Sequence, residues 1–151
     1  MQCKVIGIDL AKRVFQACGL SEHGEVLFNA KISRAQLMKV ASAWPIGTIA
    51  MEACGSAHYW GRRFQALGHQ VVLIPPQHVK AFAKIHKSDA ADALAIAESF
   101  TRPGIHPVAL KSVAQQDLQL LNRLRNGWVR QRTRLINQIR SIAAEYGVCF
   151  P

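Results

Sequence analysis

The chain has 151 residues and a mass of 16.7 kDa. That is one ordinary domain, or one domain with a helical appendage, burying roughly 70% of the surface its unfolded form exposes. Half of the residues are hydrophobic and the mean hydropathy is +0.06, which excludes a disordered chain; no apolar run approaches the ~18 residues of a membrane-spanning helix. Nineteen Lys and Arg against nine Asp and Glu give a net charge of +10, an excess that points to a polyanionic partner, most often nucleic acid.

The start, Met1-Gln2-Cys3-Lys4, lacks the apolar core of a signal peptide, so the expected location is the cytoplasm, with no membrane contact. The four cysteines, Cys3, Cys18, Cys54 and Cys149, form no C-x-x-C pair, and the histidines complete no zinc spacing. They read as reduced, buried thiols.

In chain order, residues 5–10 form a short β-rich run, residues 14–20 a second and residues 25–32 a third. Ser21-Glu22-His23-Gly24 makes a hairpin-like turn between the last two. Ser33 with Gln36 makes a capping-box pattern opening a helix that runs to Trp44 and stops at Pro45. Residues 48–53 form a fourth strand. Ser56 opens a helix through Leu67, ended by Gly68, and residues 70–74 form a fifth strand stopped by Pro75-Pro76. The order βββαβαβ is that of a ribonuclease H-like domain: a mixed α/β sheet flanked by helices.

Beyond residue 76 the pattern turns helical. Residues 77–85 form a short basic helix, and Ser88 caps a helix through Phe100. Arg102-Pro103-Gly104 breaks the chain. Residues 112–146 then read as a long amphipathic hairpin or coiled-coil arm. Leu121, Trp128, Leu135 and Ile142 recur seven apart, Leu118, Leu124, Ile139 and Tyr146 widen the stripe, and Gly127 is the weak point. The expected division is a domain over residues 1–101 and an arm over residues 102–151.

Asp9 ends an apolar strand, and Glu52 repeats the pattern in the fourth. A buried unpaired carboxylate is costly, and strand C-termini are where α/β active sites collect. Each acid reads equally as a helix-capping or Arg-paired group. Asp89 and Asp92 lie at i and i+3 in a first helical turn, where acids also complement the helix dipole. Four carboxylates converging on one point repel one another, and a hard divalent cation removes the conflict. Such ions, two of them roughly 3.5–4 Å apart, serve phosphodiester chemistry.

Those residues resemble a known family. Gly7-Ile8-Asp9-Leu10-Ala11-Lys12, the run Met51-Glu52-Ala53-Cys54-Gly55-Ser56-Ala57-His58-Tyr59-Trp60, and Lys87-Ser88-Asp89-Ala90-Ala91-Asp92-Ala93 are similar to segments of the DEDD transposases of the IS110 family, which includes the Piv-type DNA invertases. Thr101-Arg102-Pro103 and the run from Arg132 to Arg140 continue the match over nearly the whole chain. The resemblance implies a RuvC-like domain in which Asp9, Glu52, Asp89 and Asp92 bind Mg²⁺ or Mn²⁺ and catalyse DNA strand cleavage and transfer. It also implies a structured guide RNA as partner, and homodimers or higher homo-oligomers through the arm. Many members carry Asn or a basic residue around the helical acids, where this chain has Ser88, Ala90 and Ala91. Family members continue into a C-terminal domain that supplies a serine nucleophile. The expectation is therefore a truncated gene or an expressed domain, inactive for full transposition, and none of this chain's serines is assigned that role.

Between Asp117 and Glu145 stand six arginines and no acids: Arg123, Arg125, Arg130, Arg132, Arg134 and Arg140. Without acidic partners for i,i+4 pairing, phosphate contact is the better reading than a solvated face. Lys80, Lys84 and Lys87 form a smaller basic set leading into the Asp pair. Trp44, Trp60 and Trp128 read as core or interface residues, and His58 and His86 have no catalytic arrangement. The alternatives are a free-standing Holliday-junction nuclease, a non-catalytic RNA-binding and dimerisation module, and an actin-like phosphotransferase. The last lacks a Gly directly after Asp9 and a later phosphate loop.

Overall fold

The computed structural model describes residues 3–80 and 88–150. It divides into two units, Met1–Leu110 and Lys111–Pro151. The first holds a five-stranded sheet in the order β3-β2-β1-β4-β5, formed by β1 (Cys3–Asp9), β2 (Val14–Ser21), β3 (Val26–Ser33), β4 (Thr48–Glu52) and β5 (Gln70–Ile74). The first three strands pair antiparallel; β4 joins β1, and β5 joins β4, in parallel. The expected mixed sheet is the one observed.

The hairpin between β2 and β3 turns where the sequence places it. Gly24 adopts a φ of 82°, the left-handed region that glycine enters without steric cost. Ser21 stabilises the turn: its Oγ accepts from the backbone N–H groups of His23 at 3.2 Å and Glu25 at 3.1 Å.

Alternation along the strands sends side chains to two cores. Ile6, Ile8, Phe15, Ala17, Ile49 and Met51 pack on one face with α1 (Leu37–Ser42) and α2 (Ala57–Ala66), through Leu37, Ala41, Trp60 and Phe64. Val5, Cys18, Leu20 and Ala50 pack on the other with α3 (Pro76–Lys80) and α4 (Asp89–Phe100), through Val79, Ala93, Ile96 and Ala97. Val108 bridges back to Leu73, and Leu110 packs over Gly61, so the segment after α4 closes against β5 and α2.

Two details differ from expectation. Helix α1 starts at Leu37, because Ser33 is still in β3 and its Oγ donates to Gln36 Oε1 at 2.8 Å; no side chain caps the helix. Ser56 precedes α2 without a side-chain cap bond. Ser88, by contrast, caps α4 as read, accepting from the Ala91 N–H at 3.2 Å.

The second unit is dominated by α5 (Val113–Glu145), one continuous helix of 33 residues and not a hairpin. At 1.5 Å per residue it is roughly 50 Å long. Ser112 and Gln115 form a reciprocal capping box at its start. At its end Gly147, at φ 76°, allows the Val148 N–H to reach the Ala143 carbonyl at 2.9 Å. Gly127 is accommodated mid-helix without a break. Among the described residues no helix is long and apolar enough to cross a membrane.

The cysteines are all free thiols, but burial is uneven: Cys18 is buried, Cys3 and Cys54 are half-buried, and Cys149 is exposed because it follows the end of α5. The tryptophans divide similarly. Trp60 is core, edge-on to Phe15 at 5.2 Å; Trp44 stacks on Phe28; Trp128 is 67% exposed on α5.

Candidate active site

Asp9 and Glu52 are the last residues of β1 and β4, the two neighbouring parallel strands at the centre of the sheet. The register pairs Val5 with Thr48 through Ile8 with Met51, and its next step sets Asp9 beside Glu52. Neighbouring strands lie about 4.8 Å apart. By alternation both acids belong to the face that carries Val5, Gly7 and Ala50, the face covered by α4. Both are half-buried.

Helix α4 lies close on that face because Gly7 has no side chain. A Cβ there would stand 2.5 Å from the Ala93 carbonyl oxygen and 2.6 Å from the Ala97 nitrogen. Small residues on the helix, Ala93 and Ala97, complete the close approach. Asp89, exposed, and Asp92, half-buried, occupy its first turn. That turn is tied to the sheet by Asn29 of β3, whose Nδ2 donates to the Ala90 carbonyl at 3.0 Å. Asn29 Oδ1 in turn accepts from Gln16 Nε2 at 2.6 Å. Gln16 is the cross-strand partner of Asp9 and is 4% exposed, and its Oε1 is buried with no hydrogen-bond partner.

The fold therefore brings Asp9 and Glu52 to the C-terminal ends of adjacent interior strands and lays the helix bearing Asp89 and Asp92 over the same face. Among the described residues no group of three His, Cys, Asp or Glu side chains is close enough to hold a metal ion. The donors are all carboxylate oxygens, the ligand type of hard cations. Gln16 and Asn29 escape a reading directed at charged residues. Their signal is a polar amide in the apolar run of β2 and an Asn within β3, a residue type depleted from strands.

His58 is half-buried in α2. His69 is buried and structural: its Nδ1 accepts from the Gly47 N–H at 3.4 Å, and its Nε2 lies 3.2 Å from the Ala41 carbonyl. Lys80 closes α3. Lys84, Lys87 and His86 lie outside the described residues.

The arginines of α5 are all exposed, as is its apolar stripe from Leu118 to Tyr146; the helix has no buried residue. At 3.6 residues per turn, Arg123, Arg130 and Arg134 share one side of the helix. The seam of Leu121, Leu124, Trp128, Leu135, Ile139 and Ile142 lies on the opposite side. Arg125 and Arg132 flank the seam, and Arg125 lines a shallow groove with Leu118, Leu121 and Asn122.

Comparison with known proteins adds to this geometry. A family model described as a transposase, of the DEDD type of IS110, matches residues 6–148. The chain is 44% identical over 145 residues to a transposase for the insertion sequence element IS1111A of Coxiella burnetii, covering 96% of this chain and 40% of that protein. It is 45% identical over 148 residues to a probable family 20 transposase of Pseudomonas aeruginosa, covering 98% of this chain and 44% of that one. The chain thus spans about two-fifths of the length of these relatives. Among solved structures, Thermus thermophilus RuvC superposes with a TM-score of 0.50 at 15% identity, over 69% of this chain and 99% of that one. The likeness is one of fold: the sheet and flanking helices are RuvC-like, of the ribonuclease H class.

Proposed function

The chain belongs to the DEDD transposase family of the IS110 type, and from that membership we propose that it carries the metal-dependent phosphodiester chemistry of a transposase acting on DNA. The observation that carries this reading is the placement of Asp9 and Glu52 on adjacent central strand ends, under the helix that bears Asp89 and Asp92.

A hard divalent cation, Mg²⁺ or Mn²⁺, matches the chemistry of the donors, and binding it would draw the four acids closer than they stand in this structure. The donors are oxygens only, and the partnerless buried Gln16 Oε1 across from Asp9 is a further oxygen acceptor suited to a hydrated ion. Asp9, Glu52, Asp89 and Asp92 would hold it. When bound, such an ion activates an attacking water or hydroxyl and stabilises the leaving oxygen. The chain's own contribution is positional. The central strands fix Asp9 and Glu52, the Gly7 contact sets the height of α4, and the Ser88 cap fixes the start of the turn carrying Asp89 and Asp92.

The basic side chains serve the nucleic acid. Arg123, Arg130 and Arg134 offer guanidinium groups at helical spacing to a phosphate backbone, and Arg125, Arg132 and Arg140 extend the charge. Lys84 and Lys87, next in sequence to the Asp pair, belong to the same reading. Its partners are DNA and a structured RNA that guides it. The exposed seam of α5 is apolar at heptad spacing, which suits pairing with a second copy of the chain. Leu121→Asp combined with Leu135→Asp is expected to leave a single-chain mass by light scattering.

Mn²⁺ binding followed by electron paramagnetic resonance tests the centre. The wild-type chain is expected to bind Mn²⁺, and Asp9→Asn and Glu52→Gln each to abolish measurable binding without loss of nucleic-acid affinity. RNA binding by a wild-type chain that takes no Mn²⁺ would instead mark a non-catalytic binding module.

A further inference from the structure

Three residues from three elements form a directed chain of hydrogen bonds beside the acids. The Ala90 carbonyl only accepts, so Asn29 must present its NH₂ to it, at 3.0 Å. Asn29 Oδ1 then faces Gln16 and requires a donor, so the Gln16 NH₂ is the group at 2.6 Å. The sense of both amides is thereby fixed by the backbone carbonyl at the end of the chain. Gln16 Oε1 is left as the acceptor end. It belongs to a side chain 96% buried, on the residue paired across from Asp9, and it has no hydrogen-bond partner.

A buried acceptor left without a donor keeps the full cost of its lost hydration. A neighbouring carboxylate supplies no donor to offset this. Water in the hydration shell of a hard cation does, since Mg²⁺ retains several of its waters when carboxylates bind it. The same relay anchors the first turn of α4, the turn between Asp89 and Asp92, to β3 and β2.

We propose that Gln16 and Asn29 are positioning residues of the metal centre: together they lock the first turn of α4 to the sheet and hold the Gln16 carbonyl oxygen as an outer-sphere acceptor for a metal-bound water. The proposal rests on the reading of Asp9, Glu52, Asp89 and Asp92 as metal ligands. It assigns roles to two uncharged residues outside that set. Partners of this kind typically contribute 10–100-fold in metal affinity.

The test is Mn²⁺ titration of the 151-residue chain, wild type and variants, read by electron paramagnetic resonance, with thermal melting in the absence of metal as a second readout. Asn29→Ala and Gln16→Leu are expected to weaken Mn²⁺ binding by about tenfold or more. Lys31→Ala, an exposed change on the same face of β3, is expected to leave it unaltered. Asn29 is itself exposed, so its variant is expected to fold even where Gln16→Leu does not, and it then decides the question. A lowered melting temperature with unchanged Mn²⁺ affinity in Asn29→Ala would overturn the proposal and reduce the relay to a structural tie. If Asp9→Asn also leaves Mn²⁺ binding unchanged, or the wild type binds none, the ligand set itself fails. If only Asp9→Asn abolishes binding, the ligand set stands and the relay falls.

Discussion

Cys18 shows how a single residue reports on its surroundings. It sits on β2 beneath α4, and its thiol is pushed up to about 11, first by burial and then by the charges of Glu98 and Cys3. Burial also raises the half-buried Cys3 thiol, opposed by backbone hydrogen bonds at Val5 and Leu20. A cysteine in the unfolded chain ionises near 9.0, so above that pH the unfolded state loses a proton that folded Cys18 retains. Its contribution is complete below that pH and declines as pH rises towards about 11. Urea melts at increasing pH across that window should show falling stability, with a shallower fall in Cys18→Ala. Asp9 and Glu52 were legible at this scale because an acid ending an apolar run is conspicuous. Gln16 was not, since an amide becomes informative only once its partners are known.

At the scale of elements, the fit of α4 on β1 depends on Gly7. Adding a methyl group there meets the backbone of Ala93 and Ala97, which cannot rotate away as a side-chain tip can. Gly7→Ala is expected to destabilise the domain by about 2–3 kcal/mol, seen as a lower midpoint in urea. It is also expected to weaken Mn²⁺ binding, because the helix it displaces carries Asp89 and Asp92. The strands and α4 could be read from sequence because alternation, turn residues and the Ser88 cap all agreed. The Ser33 and Gln36 pattern misled because the β2–β3 pairing continues to Ser33, which keeps that residue extended and turns its hydroxyl towards the Gln36 side chain. Of the two forms open to residues 112–146, a hairpin or a continuous arm, the single helix is observed, because one Gly, costing about 1 kcal/mol, is not enough to end a helix of this length without turn residues beside it.

At the scale of the whole molecule, the charge of +10 concentrates meaning in α5. If Arg123, Arg130 and Arg134 each meet a phosphate, replacing all three by Gln should lower the slope of log affinity against log salt by about 3 on duplex DNA. An unchanged slope would return these arginines to the role of a solvated face. Composition alone pointed to the class of partner proposed, but only the continuous helix shows which arginines share a side. The sheet order has a temporal consequence as well. The strand made first, β1, lies at the centre and waits for β4, and α4 follows later still. A chain emerging from the ribosome can close its antiparallel meander early from local contacts, while the parallel pairing and the covering helix must span longer loops. Asp9 is therefore synthesised some eighty residues ahead of Asp89. A nascent chain that has reached only β5 holds Asp9 and Glu52 but neither Asp89 nor Asp92, so a site built on all four would be complete only once synthesis has passed Asp92.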